Sequence, residues 1–201
     1  MKTLKEHINE ALKIGKNLSE WSSYSYQPKT NKELEQIIED RISKDGPDCD
    51  LNDIDTSLIT DMSYLFFKSE FNGNISRWDV SNVTNMEGMF MYSSFNGAIS
   101  KWDISSVNNI SGVFYGSKFN GDISNWDTSE VKDMSSIFAY SFFKGDISKW
   151  DVSNVNDMRH MFDHSKFNQD ISNWKIRKDC RIDKMFDKCP IKDEYKPKLP
   201  K

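Results

Sequence analysis

The chain has 201 residues, a net charge of −4 at pH 7 and an aromatic content of 13%. Disordered chains are poor in aromatic residues, so this composition excludes a wholly disordered protein. An acidic balance is also atypical of a general nucleic-acid binder, and we expect no nucleic-acid partner. No apolar run approaches the roughly 20 residues that a bilayer span requires, so we expect no membrane span.

The N-terminal region has the pattern of an amphipathic leader helix over 1–17, followed by a linker over 18–30. It is charged throughout and lacks the apolar segment of a secretory signal, so we do not expect classical secretion. The string MKTLKEHINEAL resembles the capsid-targeting leaders of internal head proteins of large tailed phages. The resemblance implies cleavage after a Leu/Ile-x-Glu triplet, either between Glu10 and Ala11 or between Glu20 and Trp21. It also implies an origin in a phage or a gut bacterium, with the phage capsid as a partner.

A capping helix is predicted over 31–46. Its apolar side chains recur on one helical face, at Leu34, Ile37, Ile38 and Ile42. Thr30 or Asn31 can cap its start, and Gly46 followed by proline ends it. A stack of repeats exposes the apolar face of its first coil unless another element covers it, and this helix is the expected cover.

Residues 47–190 repeat with a period of 24 residues, and one unit reads FNGDISNWDTSEVKDMSSIFAYS. We divide them into six units, at 47–70, 71–94, 95–118, 119–142, 143–166 and 167–190, with a polar tail over 191–201. The predicted repeat core comprises Phe71, Ile75, Trp78, Val83, Met86 and Phe90, with the tryptophan recurring as Trp102, Trp126, Trp150 and Trp174.

A single unit of this size buries too little apolar surface to fold alone, so the period predicts a solenoid of stacked coils. Parallel strands would set the spacing of the coils at about 4.8 Å. The segment F-N-x-x-I-S-x-W is the predicted strand. The segment V-x-x-M-x-x-[MIV]-F has helical spacing and is the predicted short helix or 3₁₀ side. The expected fold class is therefore an α/β repeat solenoid with an N-terminal helical cap.

The strings WDVSNVTNMEGMF and FNGAISKWDIS resemble the leucine-rich-repeat surface proteins of the BspA-like group, known as the DUF285 family. The resemblance covers about residues 47–190. It implies a right-handed, leucine-rich-repeat-like coil with a curved parallel sheet. It also implies adhesion and protein–protein contact, with a cell-surface location. This chain departs from the pattern at its core, because no leucine occurs between Leu65 and Leu199.

Aromatic and methionine residues, which are enriched at the cores of protein contacts, follow the closing phenylalanine of several units. They form the candidate interaction patch, which comprises Phe67, Met91, Tyr92, Tyr115 and Tyr140. If these side chains face outward, they form one surface across neighbouring coils. The alternative is that they cover the edge of the core.

The recurring aspartates, the histidines and the cysteines are expected to have structural roles and not to form a metal or catalytic site. An aspartate recurs at Asp55, Asp79, Asp103, Asp127 and Asp151. Each can accept hydrogen bonds from backbone two residues on, as in an Asx turn, and calcium is the alternative. His160 and His164 are four residues apart but lack a third metal ligand, so no metal and no cofactor is predicted. The cysteines Cys49, Cys180 and Cys189 are expected to be reduced, Cys180 and Cys189 being the only sensible disulfide pair.

These features predict a non-enzymatic repeat module that binds a protein or a surface glycan through its rigid surface. The alternative is a structural or cargo protein of a phage virion, targeted by its leader. We expect a cytoplasmic or virion-associated location, the cell surface being implied by the family resemblance alone.

Overall fold

The computed structural model describes residues 24–199. This part of the chain contains one α-helix, α1 (Asn31–Asp45), and one 3₁₀ helix (Asp193–Tyr195). The remainder consists of turns and isolated parallel β-bridges. The predicted leader helix, residues 18–23 of the predicted linker and the two predicted cleavage points lie outside the described residues.

Helix α1 begins and ends with local hydrogen bonds. The Thr30 hydroxyl accepts a hydrogen bond from the Glu33 backbone N–H at 3.2 Å, which satisfies a free donor of the first turn. Gly46 ends the helix with φ 89°, and its N–H donates to Ile42 O. The face with Leu34 and Ile38 is buried in the hydrophobic core. The helix therefore packs its apolar face on the repeat region.

The prediction of an α/β solenoid with parallel strands is wrong. Residues 24–199 contain no β-strand, and coils are joined by isolated bridges such as Asp61 to Asn85 and Asn85 to Asn109. The segment F-N-x-x-I-S-x-W does not form a strand, and V-x-x-M-x-x-[MIV]-F does not form a helix. The leucine-rich-repeat architecture implied by the family resemblance is therefore not observed. What the structure does show is coils that contact one another at a spacing of 24 residues.

Two left-handed backbone positions in every coil explain why the second segment is not helical. The first is occupied by Tyr64, Gly88, Gly112, Ser136, His160 and Lys184, with φ between 53° and 60°. The second is occupied by Lys68, Tyr92, Gly116, Tyr140, His164 and Lys188, with φ between 50° and 61°. A right-handed helix does not tolerate such residues every four positions. We call residues 62–68 and their equivalents in the other coils the turn run.

The backbone of the turn run alternates between two kinds of hydrogen bond. Gly88 N donates to Ser111 O of the next coil at 2.8 Å, and Phe90 N donates to Val113 O at 3.0 Å. The residue between them, Met89, instead donates to Met86 O of its own coil at 3.1 Å. Buried backbone donors are thus paired without extended strand geometry, as burial requires.

Columns of identical aromatic side chains fill the interior. Phe90 and Phe114 stack with ring centroids 5.8 Å apart and planes 2° apart. Trp126 stacks on Trp150 at 6.3 Å, and its indole N–H donates to Ile99 O of the preceding coil at 3.1 Å. The residues predicted as repeat core are all buried: Phe71, Ile75, Trp78, Val83, Met86, Phe90, Trp102, Trp126, Trp150 and Trp174. Ring stacking and indole hydrogen bonds therefore connect each coil to the next.

The recurring aspartates form the predicted Asx turns. Asp127 Oδ1 accepts hydrogen bonds from the Ser129 backbone N–H at 3.0 Å and from its hydroxyl at 2.7 Å. The hydroxyl bond, followed by the backbone bond, lowers the pKa of Asp127 below its usual value. Two further Asx columns were not predicted, exemplified by Asp122 with Ser124 and Asp133 with Ser135. Asx turns therefore recur at three positions along the coil.

Residues 191–196 of the predicted polar tail pack on the sixth unit. Ile191 is buried, and the Ile171 N–H donates to Tyr195 O at 3.0 Å. Lys196 Nζ lies 5.8 Å from the centroid of the Phe186 ring, which belongs to the last phenylalanine column. These contacts place part of the predicted polar tail over the end of the core.

Candidate functional site: an exposed aromatic stripe

Six aromatic side chains form a continuous row of ring contacts on the surface of the turn runs. We call them the aromatic stripe: Tyr64, Phe67, Tyr92, Tyr115, Tyr140 and His164. Adjacent ring centroids are 6.1 Å apart for Tyr64–Phe67, 6.4 Å for Phe67–Tyr92, 5.1 Å for Tyr92–Tyr115, 5.5 Å for Tyr115–Tyr140 and 4.5 Å for Tyr140–His164. The row spans the first five units of the repeat.

The structure brings four of the five predicted patch residues together in this row. Phe67, Tyr92 and Tyr140 are exposed by 42%, 49% and 46%, and Tyr115 is half-buried between the two tyrosines. Met91, the fifth, is half-buried and packs on the next coil, because a Cβ added to Gly112 would lie 2.8 Å from its Cε. The exposed rings thus face outward.

Four of the rings, those of three tyrosines and His164, stand on left-handed backbone. Tyr64, Tyr92 and Tyr140 have φ of 57°, 57° and 56°. For a residue with a side chain this conformation costs roughly 1–2 kcal/mol, whereas glycine adopts it freely. Equivalent positions elsewhere in the repeat carry glycine, as at Gly88 and Gly116. Backbone geometry alone would therefore favour glycine where the stripe has tyrosine.

The tyrosine rings lean over the next coil. A Cβ added to Gly88 would lie 2.5 Å from Cε1 of Tyr64, and one added to Gly116 would lie 2.6 Å from Cδ1 of Tyr92. Each glycine therefore leaves the space that the ring of the preceding coil occupies. This packing fixes the direction of rings that are nearly half exposed.

Hydrogen bonds further order the stripe. The Tyr64 hydroxyl donates to Glu87 Oε1 at 2.5 Å, and this bond raises the pKa of Tyr64 above its usual value. Burial raises the pKa of Tyr115 to about 12, and its hydrogen bond with Tyr92 adds to the effect. Both hydroxyls therefore stay protonated near neutral pH.

The C-terminal end of the stripe carries a buried carboxylate between two histidines. Asp163 Oδ2 lies 3.1 Å from His160 Nδ1, and Asp163 Oδ1 lies 2.5 Å from His164 Nδ1. Burial alone would raise the pKa of Asp163, but hydrogen bonds with both imidazoles bring it below its usual value. The carboxylate orients His164, whose ring stacks on Tyr140 with planes 9° apart.

Sequence reasoning missed two members of the stripe. Tyr64 occupies the first left-handed position rather than the position after the closing phenylalanine, so it falls in a different column. A signal was nevertheless available, because Tyr64 precedes Phe67 by three residues. His164 stands at the same position of the unit as Tyr92 and Tyr140, but the predicted patch did not include it. Three exposed apolar side chains among the described residues lie outside the stripe: Leu58 at 62%, Phe142 at 57% and Leu199 at 42%.

The structure also bears on the metal site, the cysteines and the membrane span considered from the sequence. Across residues 24–199, no three His, Cys, Asp or Glu side chains are grouped closely enough to hold a metal ion. The three cysteines are free thiols, and burial raises the pKa of Cys180 to about 11. In the same range, no helix combines the length and apolarity needed to cross a bilayer.

Comparison with known sequences identifies the family. The chain matches the family described as "Mycoplasma protein of unknown function, DUF285" over residues 32–140 and again over residues 91–195. No curated protein and no solved structure matches the chain. The two family matches together span residues 32–195, which include all of the repeat and all of α1 except its first residue. The chain therefore belongs to the DUF285 family, whose function is unknown.

Proposed function

We propose that this chain is a non-enzymatic binding module whose contact surface for another protein is the aromatic stripe. The observation that carries the proposal is the exposure of Tyr92 and Tyr140, by 49% and 46%, on left-handed backbone. Glycine would relieve that backbone, so backbone geometry does not explain tyrosine there. Binding supplies a reason for the rings.

The physical properties of the stripe support this role. Tyrosine provides a large contact area at a low cost in conformational entropy, and aromatic residues are enriched at the cores of protein interfaces. The rings are further ordered by the next coil and by the Tyr64–Glu87 hydrogen bond. A surface ordered before binding loses less entropy on association.

The ring angles favour a protein over a surface glycan. Tyr92 meets Tyr115 at 76°, and Phe67 meets Tyr92 at 62°. Sugar rings stacking on successive side chains would need a flat platform of coplanar rings. Tilted rings instead form ridges and grooves, which suit the irregular side chains of a polypeptide.

A photo-crosslinking experiment tests the proposal. The photoreactive residue p-benzoylphenylalanine is placed either at Tyr140 or at Leu58, which is similarly exposed but lies outside the stripe. We expect a discrete protein adduct from position 140, identified by mass spectrometry, and none from position 58. That adduct should disappear when Tyr92→Gly is added. Equal adducts from both positions, or none from position 140, would contradict the proposal.

The phage-virion alternative rests on the leader. Its cleavage points, Glu10–Ala11 and Glu20–Trp21, lie outside the described residues, so it stays a prediction. Mass spectrometry of the mature protein tests it. A new N-terminus at Ala11 or Trp21 would support the cleaved-leader version, and an intact Met1 in purified virions would contradict it.

A further inference from the structure

We infer that the chain binds an oxyanion group, a phosphate or a sulfate, in a cavity between its second and third repeat units. The cavity has a volume of about 260 Å³ and is lined by Ser76, Arg77, Ala98, Ser100 and Lys101. None of these residues belongs to the aromatic stripe. The inference is therefore independent of the proposed contact surface.

Its starting point is a backbone donor that lacks the partner found in the other units. In five of the six units, the backbone N–H two residues after an Asp or Asn donates to the Oδ1 of that side chain. These pairs are Asp50–Asn52, Asn74–Ser76, Asp122–Ser124, Asp146–Ser148 and Asp170–Ser172. The third unit has Ala98 instead, and within residues 24–199 neither the N–H nor the hydroxyl of Ser100 has a hydrogen-bond partner. Ser100 is half-buried, and such donors are normally paired in folded proteins. An external oxygen would satisfy them.

Two positively charged side chains flank these donors. Arg77 and Lys101 are exposed, occupy the same position in successive units, and take part in none of the ion pairs of the described residues. The next cation in their column, Lys149, has carboxylates nearby. The Asx hydrogen bonds of Asp122 and Asp146, followed by the charge of Lys149, lower the pKa of both carboxyls. Arg77 and Lys101 therefore differ from Lys149 in lacking such partners.

The carboxylates closest to these cations in the register have donors of their own. Asp53 accepts two hydrogen bonds from Arg41, both at 2.9 Å. Asp79 and Asp103, two residues after the two cations, each accept hydrogen bonds from the serine of an Asx turn. Asp50 closes an Asx turn in the first unit. The cavity is therefore lined by two cations and by no carboxylate.

The corresponding cavity between the fifth and sixth units has the opposite character. It is lined by Asp146, Ser148, Gln169, Asp170, Ser172 and Asn173. Two carboxylates line it and no cation does, and both carboxylates bond the serine backbone. Stacking of coils alone thus does not create the proposed site. The site depends on alanine at position 98 and on the two cations.

A phosphate or sulfate group can replace the side-chain carboxylate that the third unit lacks. One of its oxygens would accept from the Ser100 N–H, as Asp146 Oδ1 accepts from the Ser148 N–H at 2.9 Å in the fifth unit. The other oxygens can accept from Arg77 and Lys101. Hydrogen bonds from Arg or Lys to phosphate are stronger than those between neutral groups, and the planar guanidinium suits oxyanions. Two positive charges favour a dianion over a singly charged carboxylate ligand.

An NMR titration of the isotope-labelled full chain tests the inference, with the Ser100 amide as reporter. Sodium sulfate and sodium phosphate are added near neutral pH, with the ionic strength held constant by sodium chloride. Either anion should produce a saturable downfield shift of the Ser100 amide proton. The Ser148 amide, which already donates to Asp146, should not respond. Acetate should bind at least about tenfold more weakly than sulfate.

Three variants separate a specific site from general attraction of anions. Ala98→Asp introduces the carboxylate that the fourth to sixth units carry, so its Ser100 amide should lie downfield without added anion and should not respond to sulfate. Arg77→Gln/Lys101→Gln should bind sulfate at least about tenfold more weakly than the wild type. Lys149→Gln removes a cation of the same column and should bind sulfate as the wild type does.

Other outcomes would overturn the inference. These are the absence of a saturable Ser100 shift, equal shifts of the Ser100 and Ser148 amides, acetate binding as tight as sulfate binding, or sulfate binding that Ala98→Asp or the double variant retains. The dispersion of the amide signals shows whether each variant is folded. Ala98→Asp also tests the site with both cations in place, so the result does not depend on the double variant alone.

Discussion

In the interior of the repeat, Phe90 stacks on Phe114 with ring planes 2° apart, whereas on the surface Tyr92 meets Tyr115 at 76°. Residues 90 and 92 lie on the same turn run, two positions apart. The inner position is phenylalanine in all six units, but the outer one is lysine, tyrosine, glycine or histidine. The inner side chains thus stabilise the coils, whereas the outer positions accept different residue types and can serve binding. Substitutions at the two kinds of position should therefore have opposite consequences for stability and for binding.

The largest effect is expected from the interior phenylalanine column. Phe114→Ala removes a fully buried ring between Phe90 and Phe138, and it should lower the free energy of unfolding by about 3–5 kcal/mol. Urea denaturation measures the change. Phe67→Ala, at an exposed ring of the stripe, is the matched control and should cost less than about 1 kcal/mol. If both variants lost the same free energy of unfolding, inner and outer rings would contribute equally to stability and the comparison would be wrong.

The tryptophan column should respond less strongly. Trp126→Phe removes one hydrogen bond to Ile99 O and part of a buried ring, and we expect a loss of about 2–3 kcal/mol. Ile99 O keeps a second donor, the Trp102 N–H, so no buried carbonyl is left unpaired. The same denaturation measurement applies. An unchanged unfolding midpoint would show that the indole hydrogen bond does not connect the coils.

A pH dependence should arise at the buried carboxylate of Asp157. Burial alone would raise its pKa, but the hydrogen bonds and charges of Arg159 and Arg181 hold it below the ordinary 3.8. A depressed pKa contributes stability that is present above the ordinary value and is lost as pH falls through the folded-state value. Asp157→Asn should therefore be less stable than the wild type by about 1–2 kcal/mol at neutral pH. This difference should shrink as pH falls from about 5 to about 2. A constant difference over that interval would contradict the assignment.

The next prediction tests whether the recurring aspartates stabilise the Asx turns or bind calcium. Asp127→Ala removes both hydrogen bonds to Ser129 and should cost about 1 kcal/mol, as loss of a local cap does. Added calcium should shift the melting temperature of neither the wild type nor this variant. A chelator-reversible stabilisation of the wild type alone would show that the aspartate column binds calcium.

The 24-residue period was sufficient to place the interior columns, because Trp126 and Trp150 can only stack if coils repeat in register. It was not sufficient to define the backbone. Alternating inner and outer residues occur in strands and in turn runs alike. Left-handed backbone carries a sequence signal mainly through glycine, and only Gly88, Gly112 and Gly116 supply it among twelve such positions. Tyrosine, lysine, histidine and serine at the others concealed the turn geometry.

The 24-residue register predicted four members of the stripe, and the two members that it did not predict are Tyr64 and His164. Tyr92 and Tyr140 share one column, and Phe67 and Tyr115 share the adjacent one, so their neighbourhood followed from the period. Tyr64 joins the row through an edge contact with Phe67, and its ring position depends on a left-handed backbone for which the sequence carries no signal. His164 joins through the carboxylate of Asp163, a contact between adjacent residues that the repeat pattern does not specify.

The most direct test of the central claim is to measure stability and partner crosslinking together in Tyr92→Gly/Tyr140→Gly, with the crosslinker placed at Phe67. Relief of the left-handed backbone should offset most of the lost ring contacts, so the free energy of unfolding should change by less than about 1 kcal/mol. The protein adduct should be lost. A loss of stability above about 3 kcal/mol would show instead that the rings cover the core. An undiminished adduct at unchanged stability would show that the tyrosines do not bind the partner.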